Sequence, residues 1–234
     1  MKGQRMNNNS NPHDEQKANA VLSRNNCAYQ RRLGKMSHRQ KSLLAHSQSL
    51  IPTDQYHDIP TTFNKKQPIH CEIGFGKGHY LIKQALQHPH INYVGIDLYL
   101  PGIACVLGAI EDHNIDNLKL INHDALEIFV KYMPKDSLDH IDILHPDPWP
   151  KKRHHKRRLI TKSFLELVLQ ALNKDCVCRI VSDDADYTLW IKEIITQIKA
   201  PYEEIQNIEA FTKYGNRATR IQNTITGFNI MKES

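Results

Sequence analysis

No apolar run in the 234-residue sequence reaches the length of a membrane-spanning helix, so an integral helical membrane protein is not expected. The segment from Met1 to Asn26 also lacks the apolar stretch of an export signal, being rich in Asn, Ser, Lys and Arg. Cysteine is sparse. Cys27, Cys71, Cys105, Cys176 and Cys178 are an odd set without zinc-ribbon spacing, which argues against a disulfide framework and against a structural metal. A reducing, cytoplasmic setting fits them. Acidic residues are outnumbered, 25 Asp and Glu against 31 Lys and Arg, for a net charge of +6 and a pI near 9.0. That balance favours a polyanionic partner, nucleic acid ahead of membrane, because clustered cations bind phosphates and release their counterions. No internal repeat is visible.

The length and the 40% hydrophobic content suit one α/β unit with a tail. Residues 1–28 are polar, with too little to bury, and are expected to be disordered or loosely docked. Residues 29–64 read as a basic arm and linker, its first part, Tyr29 to Gln40, charged enough to lie against a phosphate backbone or to be simply solvated. From residue 65 to 234, short apolar runs alternate with amphipathic segments, the pattern of βαβ units around a mostly parallel sheet. Strands are predicted at Ile69–Ile73, Tyr93–Leu98, Leu118–Asn122, Ile141–Leu144 and Val177–Ser182. Helices are predicted to begin near Gly78, Pro101, Ala125, Thr161 and Tyr187. Two later apolar stretches, Tyr202–Ala210 and Ile221–Ile230, suggest an antiparallel hairpin at one sheet edge.

Between the first strand and the first helix lies Glu72-Ile73-Gly74-Phe75-Gly76-Lys77-Gly78. Gly74, Gly76 and Gly78 let backbone approach a ligand where side chains would clash. The spacing is not that of a dinucleotide fingerprint, and Glu72 would repel a pyrophosphate while attracting the amino group and sulfonium of S-adenosylmethionine. A purely structural turn remains the alternative. Asp97 ends the second strand about 20 residues on, where α/β folds place a carboxylate on a ribose diol. Asp124, after the third strand, suits either an adenine amine or a helix N-cap.

The most distinctive run begins at the end of the fourth strand, Leu144-His145-Pro146-Asp147-Pro148-Trp149-Pro150, and continues through Lys151, Lys152, Arg153, His154, His155, Lys156, Arg157 and Arg158. Prolines on both sides of Asp147 stiffen the chain and present its carboxylate at the carboxyl edge of the sheet. The basic residues that follow are dense enough to grip several phosphates. A zinc site on His145, His154 and His155 lacks a further suitably spaced ligand, so no metal is expected. Cys176 and Cys178 alternate along one strand and read as packing residues.

This combination resembles the bacterial tRNA (guanine-N7-)-methyltransferases, with a Pro-Asp-Pro-Trp loop followed by basic residues ending in Lys-Arg-Arg. The likeness runs from about Tyr29 to Ile230 and takes in Arg31-Arg32-Leu33-Gly34, Ser182-Asp183 and Thr212-Lys213-Tyr214-Gly215-Asn216-Arg217. It implies a class I methyltransferase: a Rossmann-like, doubly wound α/β fold acting on a guanine in the tRNA variable loop. Glu72, Asp97, Asp124 and Asp147 would then bind S-adenosylmethionine, Asp147 being also catalytic. Lys151, Asp183 and Thr212, Lys213, Tyr214 and Gly215 would contact the guanosine. Arg31, Arg32, Lys152, Arg153, Lys156, Arg157 and Arg158 are the candidate RNA grip. Two positions depart from the family pattern: Gly215 stands where a glutamate is usual, and Asp184 where an aromatic residue is common. A small-molecule methyltransferase, a retargeted RNA methyltransferase and a tRNA-binding relative without catalysis are the competing readings, the last two because of Gly215. Monomer and homodimer both remain open.

Overall fold

The structure is a computed structural model, and it describes residues 36–206 and 224–232. Arg31, Arg32, Thr212, Lys213, Tyr214 and Gly215 lie outside the described residues.

Seven strands form one sheet: β1 (Ile69–Ile73), β2 (Asn92–Ile96), β3 (Leu118–Ile121), β4 (Leu138–Leu144), β5 (Leu172–Ser182), β6 (Tyr202–Gln206) and β7 (Thr226–Met231). Their spatial order is β3-β2-β1-β4-β5-β7-β6, parallel from β3 to β5, with β7 antiparallel to both β5 and β6. The expected edge hairpin is therefore present, and it is its second strand that pairs with the parallel sheet.

Helices α1 (His38–His46), α2 (His79–Gln87), α3 (Leu100–His113), α4 (Ala125–Lys131), α5 (Lys162–Ala171) and α6 (Ala185–Ile198) flank the sheet. Strand alternation sends successive side chains to opposite faces. Tyr93, Leu118 and Leu120 thus join Leu81 of α2 and Ile103, Val106 and Leu107 of α3, while Val94, Ile96 and Ile121 join Phe129, Phe164, Tyr187 and Ile191 from the other helices. Burial on both faces is why these strands read as nearly continuous apolar runs.

The boundary expected near residue 65 needs correction. Ser37 caps α1 in a reciprocal capping box with Gln40, and Arg39 reaches Glu111 at 2.7 Å and Asp112 at 2.5 Å on α3. Ser49 accepts from Leu120 N and Ile51 donates to Leu120 O, so the chain here runs beside β3. Ile51, Tyr56, Ile59 and Phe63 then insert into the main core. Tyr56 and Ile59 lie on a 3₁₀ helix, Thr53–Thr62, with Phe63 just after it; the polar residues and Pro60 around them hid a segment with enough to bury, so residues 38–63 belong to the folded unit.

Candidate active site

Strand order reverses between β1 and β4, and the loops following all five parallel strands open at the same edge. In an open α/β sheet that reversal leaves a crevice for a ligand. The glycine turn, Asp97, Asp124, the Pro-Asp-Pro-Trp loop and Asp183 all follow the ends of those strands.

Gly74 and Gly76 have φ of +75° and +58°, and a Cβ at either would meet nothing within 4 Å, so the turn shows bare backbone to open space. Gly78 differs. A Cβ there would come within 2.2 Å of Val106 Cγ2, and its N–H already donates to Phe75 O. The missing side chain lets the turn close against α3. Asp97 steadies the turn by accepting from Gly76 N at 2.7 Å while also accepting from Tyr99 N at 2.8 Å. Burial raises its pKa above the ordinary aspartate value against these backbone donors, with a smaller contribution from the Asp147 charge. Asp124 caps α4 by accepting from Leu126 N at 2.8 Å, the alternative that the sequence had left open.

Glu72 is 4% exposed, and its Oε2 has no hydrogen-bond partner among the described residues. Burial, with the Asp142 and Asp97 charges, pushes its carboxyl well above the usual glutamate range. Parallel register puts Glu72 opposite Asp142 and Asp142 opposite Arg179 across three strands. Arg179 donates to Asp142 at 2.7 Å and to the Tyr80 hydroxyl at 2.5 Å, and His140 lies 3.0 Å from Asp142. Burial alone would raise the Asp142 pKa, but His140 and Arg179 bring it below the ordinary value. Sequence reading missed this polar strip. Its one signal was a charged residue inside the apolar run Ile141-Asp142-Ile143. An acid with an unsatisfied buried oxygen beside bare glycine backbone fits a ligand with an amino group.

Asp147 is exposed in a loop whose two flanks, His145 and Trp149, have φ of +51° and +48°. Such values are rare outside glycine and must be held by surrounding contacts. His145 Nδ1 lies 2.8 Å from Asp183 Oδ1. On the other side the loop runs into a 3₁₀ helix, Lys152–Arg157, where Lys152, Arg153, Lys156 and Arg157 are exposed, as is Lys151 just before it. The Arg157 guanidinium lies 5.0 Å over the Trp149 ring, and the His154 ring meets the same indole edge-on at 5.8 Å.

Arg158 is corrected. Its side chain is 1% exposed, donates Nε–H to Pro148 O at 2.9 Å, pairs with Asp186, and lies between Tyr187 at 4.9 Å and Trp190 at 5.1 Å. A guanidinium buried to this extent is withheld from a phosphate; it clamps the acid loop to α6. Asp184, the second departure, is the N-cap of α6 and accepts from Tyr187 N at 2.8 Å. The three histidines of the rejected zinc set face different partners: His145 the Asp183 carboxylate, His154 the Trp149 ring, and His155 the Trp190 ring.

A parallel sheet of order 3-2-1-4-5, extended by an antiparallel strand inserted beyond β5 and carrying acids around a glycine turn at its switch point, defines a Rossmann-like methyltransferase. Residues 66–228 match the family described as "Putative methyltransferase". The sequence is 36% identical over 185 residues to a tRNA (guanine-N(7)-)-methyltransferase of Buchnera aphidicola subsp. Acyrthosiphon pisum, covering 78% of this chain and 77% of that protein. It is 34% identical over 196 residues to the enzyme of that name from Nitrosococcus oceani, covering 82% and 83%. A solved structure of 16S rRNA methyltransferase KamB shares the fold, with TM-score 0.54, 10% identity, and coverage of 78% of this chain and 95% of that one. The chain belongs to the tRNA (guanine-N(7)-)-methyltransferase family.

Proposed function

We propose that this protein transfers a methyl group from S-adenosylmethionine to N7 of a guanine in the variable loop of tRNA, and that it works in the cytoplasm. The observation that carries the reading is the placement of the Pro-Asp-Pro-Trp loop, which follows β4 at the sheet edge that also carries the glycine turn and Asp97, and which runs directly into the exposed cations of the 3₁₀ helix. No described helix is long and apolar enough to cross a membrane.

Glu72, the backbone of Gly74 and Gly76, and Asp97 would hold the cofactor, with Asp124 adding an acceptor beyond its capping bond. When bound, S-adenosylmethionine supplies a methyl group on an electron-poor sulfonium. Guanine N7 carries a free lone pair, so the methylated base becomes cationic without losing a proton. The protein therefore needs positioned negative charge more than a general base. Asp147 and Asp183 supply it: carboxylates that accept from N1–H and the exocyclic amine orient N7 and stabilise the positive charge that develops. Lys151, Lys152, Arg153, Lys156 and Arg157 hold the neighbouring phosphates. Incubation of unmodified tRNA with methyl-labelled S-adenosylmethionine, followed by mapping of the methylated base, tests the proposal. Label at N7 of a variable-loop guanine supports it; label elsewhere, or cofactor binding without transfer to tRNA, refutes it.

A further inference from the structure

We infer that His145 is a positioning residue that fixes Asp183 against the guanine and ties the Asp147 and Asp183 loops into one unit. The inference rests on the proposed role of Asp183 in orienting the base.

His145 is the first residue after β4, and Asp183 the first after β5. The parallel register pairs Leu144 with Val181, and His145 N donates to Val181 O at 2.8 Å, continuing the ladder one step beyond β4. The chain then turns with His145 at φ +51°. Histidine, like asparagine and aspartate, tolerates that conformation better than most non-glycine residues, so the backbone does not by itself single it out from those two. What it contributes is the side chain. The imidazole is 4% exposed, against 31% for the Asp183 side chain, and its Nδ1 lies 2.8 Å from Asp183 Oδ1. With Asp183 ionised, the nitrogen at that distance carries the hydrogen and donates it, a charge-assisted bond with a nearly dry donor. One oxygen held by a buried ring narrows the rotamers open to the Asp183 side chain. Because the same residue begins the Asp147 loop, one side chain joins the two acid loops.

A carboxylate that orients a base in the transition state should lose rate, more than affinity, when an anchor that sets its orientation is removed. His145→Phe keeps an aromatic ring without the donor. His145→Asn places an amide N–H near the Nδ1 position and accepts positive φ. The expected result is a roughly tenfold fall in kcat for the Phe variant, with KM for tRNA and the Kd for S-adenosylmethionine within about twofold of wild type, and recovery of most of the rate in the Asn variant. In wild type, proton NMR should show a downfield imidazole N–H resonance that is lost in Asp183→Asn. Circular dichroism and melting curves establish that each variant is folded. A Phe variant with wild-type kcat, while Asp183→Ala is inactive, overturns the inference and leaves the reading of Asp183 standing. A fully active Asp183→Ala removes that reading and the inference with it. Equal losses in both His145 variants, with altered KM, would reduce His145 to a packing residue and also overturn it.

Discussion

Arg158→Ala separates a structural cation from the exposed cations beside it that are proposed to grip RNA. The substitution deletes a guanidinium that is 1% exposed and bonded to the Pro148 carbonyl. A charge-assisted bond of this kind contributes about 1.5–3 kcal/mol. The contacts over Tyr187 and Trp190 add about 0.5–2 kcal/mol each. The Asp186 side chain is 67% exposed, so its pair with Arg158 is screened by water and adds at most about 1 kcal/mol. These contributions share one side chain and are not additive; a total loss of about 3–5 kcal/mol is expected, lowering Tm by on the order of 10 °C for a chain of this size. Arg158→Lys should recover less than half of it, because a lysine has neither the planar face nor the fork. Urea unfolding by circular dichroism measures the loss. Below the melting range, tRNA affinity against salt concentration should keep the wild-type slope. A variant with wild-type stability and a salt slope lower by about one unit would refute this placement and return Arg158 to the RNA face.

Replacing Lys152, Arg153 and Lys156 together by alanine should lower the slope of log affinity against log salt by about two to three units, with stability nearly unchanged, since all three are exposed; an unchanged slope would move the RNA surface elsewhere. Asp147→Ala should cost about two to three orders of magnitude in methyl transfer while leaving the fold and RNA binding intact, and near wild-type turnover would remove it from the chemistry. Burial, reinforced by His140, lowers the His70 pKa from 6.5 to about 4. Unfolded chains therefore take up this proton first as pH falls, so stability should decline from pH 6.5 to about 4 and then level off as regards this group. His70→Phe should flatten that limb in urea titrations at each pH, and an identical limb would show that other groups set it. Gly215→Glu should raise the rate of guanine methylation at saturating cofactor if the family's missing acceptor slows this protein. A fully active wild type with an inert Glu variant would instead mark Gly215 as an adaptation of its own site.

The parallel sheet, the glycine turn and the acids at strand ends were legible in the sequence because each is a local pattern: apolar runs of strand length, punctuation by glycine, a carboxylate where a run stops. Strand bounds shifted most at β5, which begins at Leu172 instead of Val177, since the polar stretch Asn173-Lys174-Asp175 carries no strand pattern of its own. Charge density marked the basic run and family resemblance brought in Asp183, but neither could rank neighbours within that run. Arg157 and Arg158 are adjacent and chemically identical, yet one is exposed over the Trp149 ring and the other is buried against Tyr187 and Trp190. That difference arises only when α6 packs beside the loop. Likewise Glu72, Asp142 and Arg179 become neighbours through the registers of β1, β4 and β5, and His145 meets Asp183 across 38 residues for the same reason. Sequence by itself determined which residues have the chemistry to bind a sulfonium cofactor and a polyanion. Tertiary structure decided which of them remain available for it, because availability is set by burial and by long-range partners, and neither is encoded in spacing along the chain.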